Sequence, residues 1–589
     1  AAMSTGRICC LVLLTLGVLA VVVVLVVVLT RPTCAPQRYL HGAVAADTET
    51  CSAIGRDILK SGGTAVDAAI AGLICTSVMN PQSSGLGGGV TFTIYSASTG
   101  AVEVINARET APRVFPHDLL SGCAAGFPIG KDTACSPRWI AVPGELRGYE
   151  EAHKRYGRLP WKALFEPTIK LLSKPLVISP VLDKMLHHPA FSTPGKSLCP
   201  LICNGGRFLK RGEAFRWPVL QQTLTAIAES GAAAFYEGQI GKALVEDLRK
   251  AGSNISLKDL QEYKADVSSA LNITLNNHTT VFSAGPPMGG AVLMFILKIL
   301  EDYKLHEASL ATPEERVETY HHIAEALKFG NMLKPHMSDP AFSEAQVTVR
   351  TMLSDKITKL ARSRIDDKGD HPLNHYNLFE SINNSRYKSK GTSHISVLAA
   401  DGSAVSATST INYPFGSFVY SNQTGIILNN ELADFCIANR SIKPDKLTCL
   451  SSPLNSHMGG TILSASALGE KPPSAMAPSI LISKTGDMLV IGGAGGAWII
   501  SATTMAIINK LWFGYDLEHA ISAPIIHTEG DKILFEKHFS EEIRSGLLGR
   551  GHKEDKVTFA MNVVQGISKE GKCISAYSDE RKLGKSAGY

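Results

Sequence analysis

The sequence has few of the features that mark nucleic-acid-binding or metal-dependent proteins. Charged residues make up 19% and aromatic residues 7% of its 589 residues, and the net charge of +5 is spread thinly. No basic cluster with interleaved aromatic side chains occurs, which argues against a nucleic-acid partner. No H-E-x-x-H motif occurs, and the pair His321-His322 ahead of Glu325 is more typical of a helix core or surface than of a metal site.

Two short motifs also fail on closer reading. Gly85-Leu-Gly-Gly-Gly-Val90 has valine where a dinucleotide-binding loop needs its third glycine, and it does not open a helix. Gly584-Lys-Ser-Ala-Gly588 has the spacing of a nucleophile elbow, but it ends one residue before the last residue, with no helix to follow. The sequence therefore indicates neither dinucleotide binding nor a serine nucleophile of that type.

One long apolar run lies near the start of the chain. Residues Ile8 to Thr30 are apolar almost throughout, between Arg7 and Arg31, and about 20 such residues span a bilayer core. A secretory signal would have a shorter apolar core of about 7–15 residues and a small-residue cleavage site. We therefore expect an uncleaved signal-anchor at 8–30 that follows a cytoplasmic tail at 1–7, with the body outside the cell.

Glycosylation sequons and cysteines agree with an extracellular body. Six N-x-[ST] sequons follow the apolar run, and together with the anchor they predict a type II membrane glycoprotein. They lie at Asn254, Asn272, Asn277, Asn383, Asn422 and Asn439. Ten cysteines lie outside the run, and in an oxidising compartment some should pair.

Two disulfides are predicted from the cysteine positions. Cys51 and Cys75 lie on consecutive predicted helices, and Cys199-Pro-Leu-Ile-Cys203 would close a small loop. A zinc site at the second pair would need two more ligands at suitable spacing, and none is obvious.

The order of predicted elements favours an α+β protein. Helices are expected at 47–59 and 65–79, strands at 90–95 and 102–106, and a mainly helical stretch from about 145 to 390. The chain then becomes rich in strands from Thr392, with a later strand at 488–491 and a helix at about 501–512. Strands, then helices, then strands and helices predict α+β layers rather than a doubly wound sheet.

A threonine after a glycine opens the most informative stretch. Two strand-like runs, Thr392–Ala400 and Ser403–Thr410, flank Asp401-Gly402, which is a strong hairpin signal. A threonine hydroxyl is a poor nucleophile without a base beside it. If the chain is cut at Gly391–Thr392, the α-amine of Thr392 becomes that base.

Several further motifs occur along nearly the whole chain after the apolar run. They are Gly85-Leu-Gly-Gly-Gly89, Asn106-Ala-Arg108-Glu109, Val142-Pro-Gly-Glu145, Thr392-Ser-His, Thr408-Ser-Thr410-Ile-Asn412, Asn429-Asn430-Glu431 with Asp434, Pro473-Ser474-Ala475-Met476 and Gly492-Gly-Ala-Gly495-Gly496. In type and in order these motifs resemble those of the γ-glutamyltransferases (glutathione hydrolases), which are N-terminal nucleophile hydrolases.

The resemblance implies a four-layer αββα sandwich made of two subunits from one precursor. The large subunit would be 31–391 and the small catalytic subunit 392–589, separated by self-cleavage at Gly391–Thr392. Thr392 would serve as the cleavage residue and the acylation nucleophile, with Thr410 to orient it. The N–H groups of Gly495-Gly496 would stabilise the oxyanion, although a tight turn alone could account for part of this glycine run. No cofactor or metal is implied.

The same resemblance implies how a γ-glutamyl group is held. Arg108 would bind its α-carboxylate through two parallel hydrogen bonds, and Ser474 would add a hydroxyl. Glu431 and Asp434 would face its α-ammonium, with Asn412 completing the hydrogen bonds. On their own, Glu431 and Asp434 also fit a solvated acidic pair in a loop.

One departure and one subtype signal complete the comparison with the family. Ala475 stands where the family usually has a second serine, so a hydroxyl for the carboxylate is missing, which should weaken substrate binding. Asn412-Tyr-Pro414 and the last residues, Asp579 to Tyr589, look most like the leukotriene-cleaving branch. The expected substrates are glutathione and its conjugates, including a leukotriene conjugate, with water or an acceptor amino acid or dipeptide receiving the γ-glutamyl group.

Two other functions stay open from the sequence. The first is a different amidase of the same fold. Arg108 together with Glu431 and Asp434 argues against it, because those groups fit a free amino-acid head. A catalytically silent membrane glycoprotein would not need Thr392, Thr410 and the glycine pair intact.

Overall fold

The computed structural model describes residues 13–22, 38–114, 119, 136–189, 194–379, 391–438, 469–557 and 562–589. Residues 13–22 form a helix with exposed side chains. Within the described ranges, no helix is both long enough and apolar enough to cross a membrane. The rest of the predicted anchor at 8–30 lies outside these ranges, so the anchor stays a prediction.

The strands of these ranges are named in chain order. They are β1 Ala43–Ala46, β2 Gly89–Tyr95, β3 Val102–Ala107, β4 Leu176–Val177, β5 Cys203–Asn204, β6 Arg207–Phe208, β7 Ala214–Phe215, β8 Asp266–Ser269, β9 Leu271–Thr274, β10 Thr280–Ser283, β11 Gly391–Leu398, β12 Ala404–Asn412, β13 Ser479–Ile482, β14 Met488–Ala494, β15 Ile526–Glu529, β16 Lys532–Phe535, β17 Lys553–Glu554, β18 Val563–Glu570, β19 Cys573–Ser578 and β20 Lys585–Gly588.

The α-helices after residue 38 are named in the same way. They are α1 Glu49–Lys60, α2 Ala65–Met79, α3 Glu145–Tyr156, α4 Trp161–Leu172, α5 Pro180–Leu186, α6 Cys199–Ile202, α7 Pro218–Ser230, α8 Ala233–Tyr236, α9 Gln239–Ala251, α10 Leu257–Glu262, α11 Gly290–Leu300, α12 Pro313–Asn331, α13 Ala345–Met352, α14 Asp355–Ser363, α15 Trp498–Leu511, α16 Leu517–Ser522 and α17 Glu541–Gly549.

Two antiparallel sheets form the centre of the protein. The first has the strand order β20-β1-β11-β12-β2-β3-β8, and the second has the order β19-β18-β14-β13-β10-β9. The first sheet joins strands from both ends of the chain, because β1 lies between β20 and β11. Such long-range pairing is what a sequence pattern predicts least well.

The two sheets stack face to face, with helices on both outer sides. Leu398 and Ala404 of the first sheet pack against Val490 and Ile567 of the second, in an apolar layer between them. Alternate residues of the same strands, such as Ile395 and Val405, face the other way and pack with α1 and α2. Helices α11, α12 and α15 cover the outer face of the second sheet. The layer order is therefore αββα, as predicted.

The helix next to the first sheet follows directly from its sequence. Thr64 caps α2 by accepting from the N–H of Asp67, whose side chain accepts in return from the N–H of Thr64. Every residue of α2 from Ala65 to Val78 is buried, in keeping with a sequence that is apolar nearly all round. The helix predicted at 65–79 has these bounds.

Other predicted elements have bounds that differ by a few residues, and one stretch predicted to be mainly helical also contains strands. The helix expected at 47–59 is α1, the hairpin around Asp401-Gly402 is β11–β12, and the helix expected from 501 begins at Trp498. The stretch from 145 to 390 was expected to be mainly helical, yet it also holds β8, β9 and β10. Strands β8 and β9 lie at sheet edges and β10 lies next to β9, and all three are only four residues long, so their pattern of buried residues is weak.

Both predicted disulfides are present. Cys51 bonds Cys75 with the two Cα atoms 5.4 Å apart, and Cys199 bonds Cys203 with the two Cα atoms 4.5 Å apart. Cys436 and Cys573 are also disulfide-bonded. The first bridge ties α1 to α2, which pack on the sheet that carries Thr392.

The two disulfides should differ in their effect on stability. Replacing Cys51 and Cys75 by serine should lower the free energy of unfolding by about 3–4 kcal/mol, because the bridge closes a loop across a sequence separation of 24. The same change at Cys199 and Cys203, with a separation of 4, should cost about 2 kcal/mol. Urea unfolding of both double variants beside the wild type gives the comparison, and an equal or reversed order would contradict it.

Candidate active site

The predicted nucleophile lies at the start of β11, opposite its predicted partner. Thr392 pairs with Thr410 across the β11–β12 ladder, and the register shifts between Gly391 and Thr392. The irregularity therefore falls at the predicted cleavage bond, and such bulges often occur beside active sites. Both threonines are 2% exposed, and both are on the face of the sheet that looks toward the second sheet.

The hydroxyl of Thr410 contacts the carbonyl that cleavage would attack. It donates to the Gly391 carbonyl oxygen at 2.6 Å and accepts from the N–H of Asn412 at 2.8 Å. In the uncut chain Thr410 thus contacts the peptide group before Thr392, whereas its predicted role is to hydrogen-bond and orient Thr392 itself. A donor at this oxygen would stabilise the negative charge that develops there during attack.

A polar layer continues between the sheets from Thr392. His394 Nδ1 lies 2.8 Å from Thr408 Oγ1, and its Nε2 lies 3.1 Å from Ser396 Oγ. Burial lowers the pKa of His394 to about 3, so the ring is neutral at ordinary pH. A Cβ on Gly492 would lie 2.3 Å from this ring, so only glycine lets β14 cross β11 here. His394 therefore supports the strand crossing and carries no charge.

The register of the first sheet also places Arg108 relative to Thr392. Thr410 pairs with Gly89 of β2, and Arg108 follows Ala107, which pairs with Val90. Arg108 therefore extends the row that begins at Thr392, three strand spacings away, which is about 14 Å. The long arginine side chain can span part of this distance.

The Arg108 side chain is buried in a cage of acceptors. Its guanidinium contacts Glu431, lies 2.7 Å from Asp434 Oδ2, and donates to the carbonyls of Pro472 at 3.1 Å and Pro473 at 2.8 Å. Both carboxylates and the arginine are at most 4% exposed at their side chains. The structure therefore brings together the residues expected to bind the two ends of an amino-acid head.

Three carboxyl groups surround this one guanidinium. Glu109 Oε2 lies 3.9 Å from Arg108 Nη1, in addition to Glu431 and Asp434. Burial raises the pKa of Glu109 to about 7 and that of Glu431 well above its usual range, although the arginine opposes both shifts. The charge of Asp434 adds to the upward shift of both pKa values, and Glu109 adds to that of Glu431. A bound ammonium would give these acidic groups a second positive charge to face.

Asn412 and Ser474 border the same cage. Asn412 Nδ2 donates to Asp434 Oδ1 at 3.1 Å, and its backbone has a positive φ of 73°, a conformation in which asparagine is tolerated. Ser474 follows Pro473 directly, and its N–H donates to the carbonyl of Pro287 at 2.8 Å. The hydroxyl of Ser474 accepts from the N–H of Met476 at 3.2 Å, so it faces its own turn.

The glycine pair lies between β14 and α15. Gly495 and Gly496 have φ values of 122° and 62°, which favour glycine. They precede the first turn of α15, where backbone N–H groups point out of the helix. The pair thus lies in a loop directly before a helix, and its role in binding the oxyanion stays a prediction.

Glu145 supports the site from the helix side of the first sheet. The N–H groups of Gly144 and Glu145 donate to the Gly88 carbonyl at 2.9 and 3.0 Å, which ties α3 to the glycine-rich loop. A Cβ on Gly88 would lie 2.0 Å from the Thr410 carbonyl oxygen, so this loop packs directly on β12. Tyr149 donates to the buried Glu145 carboxyl, and burial raises the pKa of Glu145 to about 8.

Two residues beside Thr392 were not anticipated from the sequence. Lys582 Nζ donates to the Thr392 carbonyl oxygen at 2.5 Å and lies 3.3 Å from Asp47 Oδ2. Lys582 is 190 positions from Thr392 in the chain. A lysine in a charged run near the end of the chain gives no signal of such a contact.

Comparisons with known proteins agree with this geometry. The model of the Gamma-glutamyltranspeptidase family matches residues 51–589. The chain belongs to the gamma-glutamyltranspeptidase family. It is 47% identical to Glutathione hydrolase 5 proenzyme of Homo sapiens over 589 residues, which cover 98% of each chain. It is 35% identical to Glutathione hydrolase 3 of Arabidopsis thaliana over 563 residues, covering 92% of this chain and 84% of the plant protein.

A solved structure supports the fold. Cephalosporin acylase from Bacillus halodurans superposes with a TM-score of 0.76 and covers 95% of this chain and 99% of its own, at 23% identity. At that identity the likeness concerns the fold alone. Family membership confirms the enzyme class predicted from the sequence, a gamma-glutamyltransferase or glutathione hydrolase.

The buried Glu145 should make stability depend on pH. Its pKa is about 8 in the folded protein against an ordinary 4.5, so its proton stabilises the fold fully below pH 4.5, and this contribution is lost as the pH rises through 8. Glu145→Gln removes the titration and keeps an acceptor for Tyr149. The variant should therefore gain stability relative to the wild type between these pH values, by up to about 1.4 kcal/mol per pH unit.

Melting temperatures at pH 5, 6, 7 and 8 measure this difference. Glu166→Gln is the matched control, because it removes an exposed carboxylate from the neighbouring helix α4. A difference between Glu145→Gln and the wild type that stays constant with pH would show that Glu145 does not hold its proton in the folded state.

Proposed function

We propose that this enzyme cleaves the γ-glutamyl bond of glutathione and of glutathione S-conjugates through an ester on Thr392. The observation that carries the proposal is the row from Thr392 through Thr410 to Arg108, which ends in the carboxyl groups of Glu431 and Asp434. This row offers a hydroxyl at one end and partners for an α-carboxylate and an α-ammonium at the other. A γ-glutamyl group carries those two charges at the end away from its reacting carbonyl.

Maturation would begin at Gly391–Thr392. The Thr392 hydroxyl adds to the Gly391 carbonyl carbon, the C–N bond breaks, and the Gly391 acyl group moves to the hydroxyl oxygen as an ester. Water then hydrolyses the ester, which leaves a carboxylate on Gly391 and a free α-amine on Thr392. The 2.6 Å contact from Thr410 to the Gly391 oxygen supports this step, because it would stabilise the oxyanion.

Substrate binding would replace the ion pairs that Arg108 makes with protein carboxylates. The α-carboxylate of the substrate would take the place of the protein carboxylates on Arg108. The α-ammonium would then pair with the released carboxylates of Glu431 and Asp434. The protein carboxylates displaced from Arg108 thereby gain the ammonium as a partner, so no buried charge is left alone. The substrate head brings one negative and one positive charge, so the net charge of the cluster does not change.

Turnover would use the freed amine as a general base. It accepts the proton of the Thr392 hydroxyl as the oxygen attacks the γ-carbonyl, and the leaving amine takes a proton as the amide bond breaks. The N–H groups of Gly495 and Gly496 would hold the oxyanion. Water, or the amine of an acceptor amino acid or dipeptide, then attacks the γ-glutamyl ester and restores Thr392.

Cleavage of a leukotriene conjugate rests on similarity of sequence. The ending from Asp579 to Tyr589 and the segment Asn412-Tyr-Pro414 resemble the leukotriene-cleaving branch, and a high identity to Glutathione hydrolase 5 proenzyme fits the same assignment. Another amidase of this fold is the second candidate.

The exposed positions of Asn254, Asn272, Asn277 and Asn422 support an extracellular glycosylated body on a type II anchor, whereas Asn383 and Asn439 lie outside the described ranges.

The nucleophile can be tested by removing its hydroxyl. Thr392→Ala should stay a single band on a denaturing gel and lose γ-glutamyl release from glutathione, whereas the wild type should give two bands. Thr392→Ser keeps a hydroxyl and should give two bands, with a slower turnover. A single wild-type band would rule out self-cleavage, and a fully active Thr392→Ala would rule out the ester. Self-cleavage without any γ-glutamyl release would favour the other amidase.

The missing second serine can be restored. Ala475→Ser should lower KM for γ-glutamyl substrates by up to about tenfold, because a hydrogen bond to a charged group contributes about 1.5 kcal/mol or more. Ser474→Ala is the matched opposite change and should raise KM. Initial rates on glutathione at a fixed pH give both values. An unchanged or higher KM in Ala475→Ser would show that the carboxylate does not lie beside this position.

A further inference from the structure

The predicted mechanism leaves one buried charged pair beside Thr392 without a role. Lys582 Nζ donates to the Thr392 carbonyl oxygen at 2.5 Å, and its second partner is Asp47 Oδ2 at 3.3 Å. The Lys582 side chain is 1% exposed and that of Asp47 is fully buried. Gln565 Nε2 donates to the other Asp47 oxygen at 2.5 Å. A buried ion pair is costly, so it needs an explanation beyond stability.

The fold brings this pair to the nucleophile from two sides. Asp47 directly follows β1, whose last residue, Ala46, pairs with Ile395 of β11. Lys582 ends a short 3-10 turn, Glu580–Lys582, which precedes β20 on the other side of β1. Gln565 comes from β18 of the facing sheet. Elements from both sheets therefore hold the ammonium on the main chain of Thr392.

We propose that Lys582, held by Asp47, is a positioning residue that fixes the main chain of Thr392 and keeps its freed α-amine unprotonated at neutral pH. This inference rests on the proposed role of Thr392 as an N-terminal nucleophile. It names a residue that tunes the base of that mechanism.

The reason is electrostatic. After cleavage the α-amine and the carbonyl oxygen belong to the same residue, so the amine lies within about 6 Å of Lys582 Nζ, given standard backbone dimensions. A positive charge at that distance disfavours a second positive charge, and it therefore favours the neutral amine that can accept a proton. Asp47 acts in the opposite direction, but its carboxylate lies 3.3 Å from the ammonium, whereas the Thr392 carbonyl oxygen lies 2.5 Å from it.

Other charged groups around Thr392 do not cancel the electrostatic effect of Lys582 on the Thr392 amine. His394 on β11 is neutral, and the β12 neighbour Thr410 has no charge. Asp579 and Arg581, on the turn that holds Lys582, pair with each other at 2.8 Å. The buried charged groups of the γ-glutamyl cage and its supporting helix are the same in every variant below. They are Arg108, Glu109, Glu145, Glu431 and Asp434.

The test is the pH dependence of kcat/KM for glutathione, normalised to the amount of cleaved small subunit on a gel. The acid limb of this profile reports the ionisation of the free enzyme's base. Lys582→Met should move the acid limb up by about one pH unit, because the amine then holds its proton more tightly. Asp47→Asn keeps the ammonium and removes its counter-charge, so it should move the acid limb down.

Two further variants serve as controls. Lys582→Arg keeps the positive charge and should leave the acid limb within a few tenths of a pH unit of the wild type. Lys585→Met removes an exposed lysine from β20, where it pairs with Glu49 at 2.8 Å, and should leave the whole profile unchanged. These controls separate the charge beside Thr392 from the net charge of the region.

Each outcome bears on the proposal. Opposite shifts in Lys582→Met and Asp47→Asn support it, and unshifted limbs in both would overturn it and leave the pair a structural role. If Lys582→Met does not cleave, the direction of the Asp47→Asn shift decides alone. Failure of the proposed function appears differently, as wild-type activity that survives in Thr392→Ala.

Discussion

The pairing of β11 with β12 fixes nearly every part of the active site. It sets Thr392 opposite Thr410, and the next strand in the sheet continues the same row toward Arg108. It also directs His394, Ser396 and Thr408 into the layer between the sheets, where they form hydrogen bonds with each other. A slip of one residue would turn the nucleophile toward the helices. The Asp-Gly turn and the alternation of buried faces hold that register.

Charge is the second constraint on the site. Arg108, Glu109, Glu431 and Asp434 are buried together, with more acidic groups than basic ones. A buried pair contributes little net stability, because desolvation offsets the attraction. Under the proposed function its value lies in selectivity, since a ligand that supplies both a carboxylate and an ammonium would enter without leaving a charge alone. A neutral amide head or a plain fatty acid would leave one side of the cage unpartnered.

Local patterns in the sequence were enough for the fold class, helix α2, the β11–β12 hairpin and both disulfides. The family motifs added Arg108, Glu431 and Asp434, and the structure brings them into contact. Sequence could not supply the position of Lys582 beside Thr392, because that contact depends on β1 lying between strands from the opposite end of the chain. Nor could it show Thr410 on the Gly391 carbonyl, which depends on the bulge at the start of β11.

The strand order of the first sheet has a consequence for the fate of the cut chain. Strand β1 comes from the part before Gly391, yet it lies between β20 and β11, which both come from the part after it. Strand β12, also from the later part, pairs in turn with β2 from the earlier part. Strands of the two pieces therefore alternate within one hydrogen-bonded sheet. Cutting the peptide bond at Gly391–Thr392 breaks none of the hydrogen bonds between them. Separating them would require unpairing the sheet, so if the chain is cut as proposed, the two pieces should dissociate only when the protein unfolds.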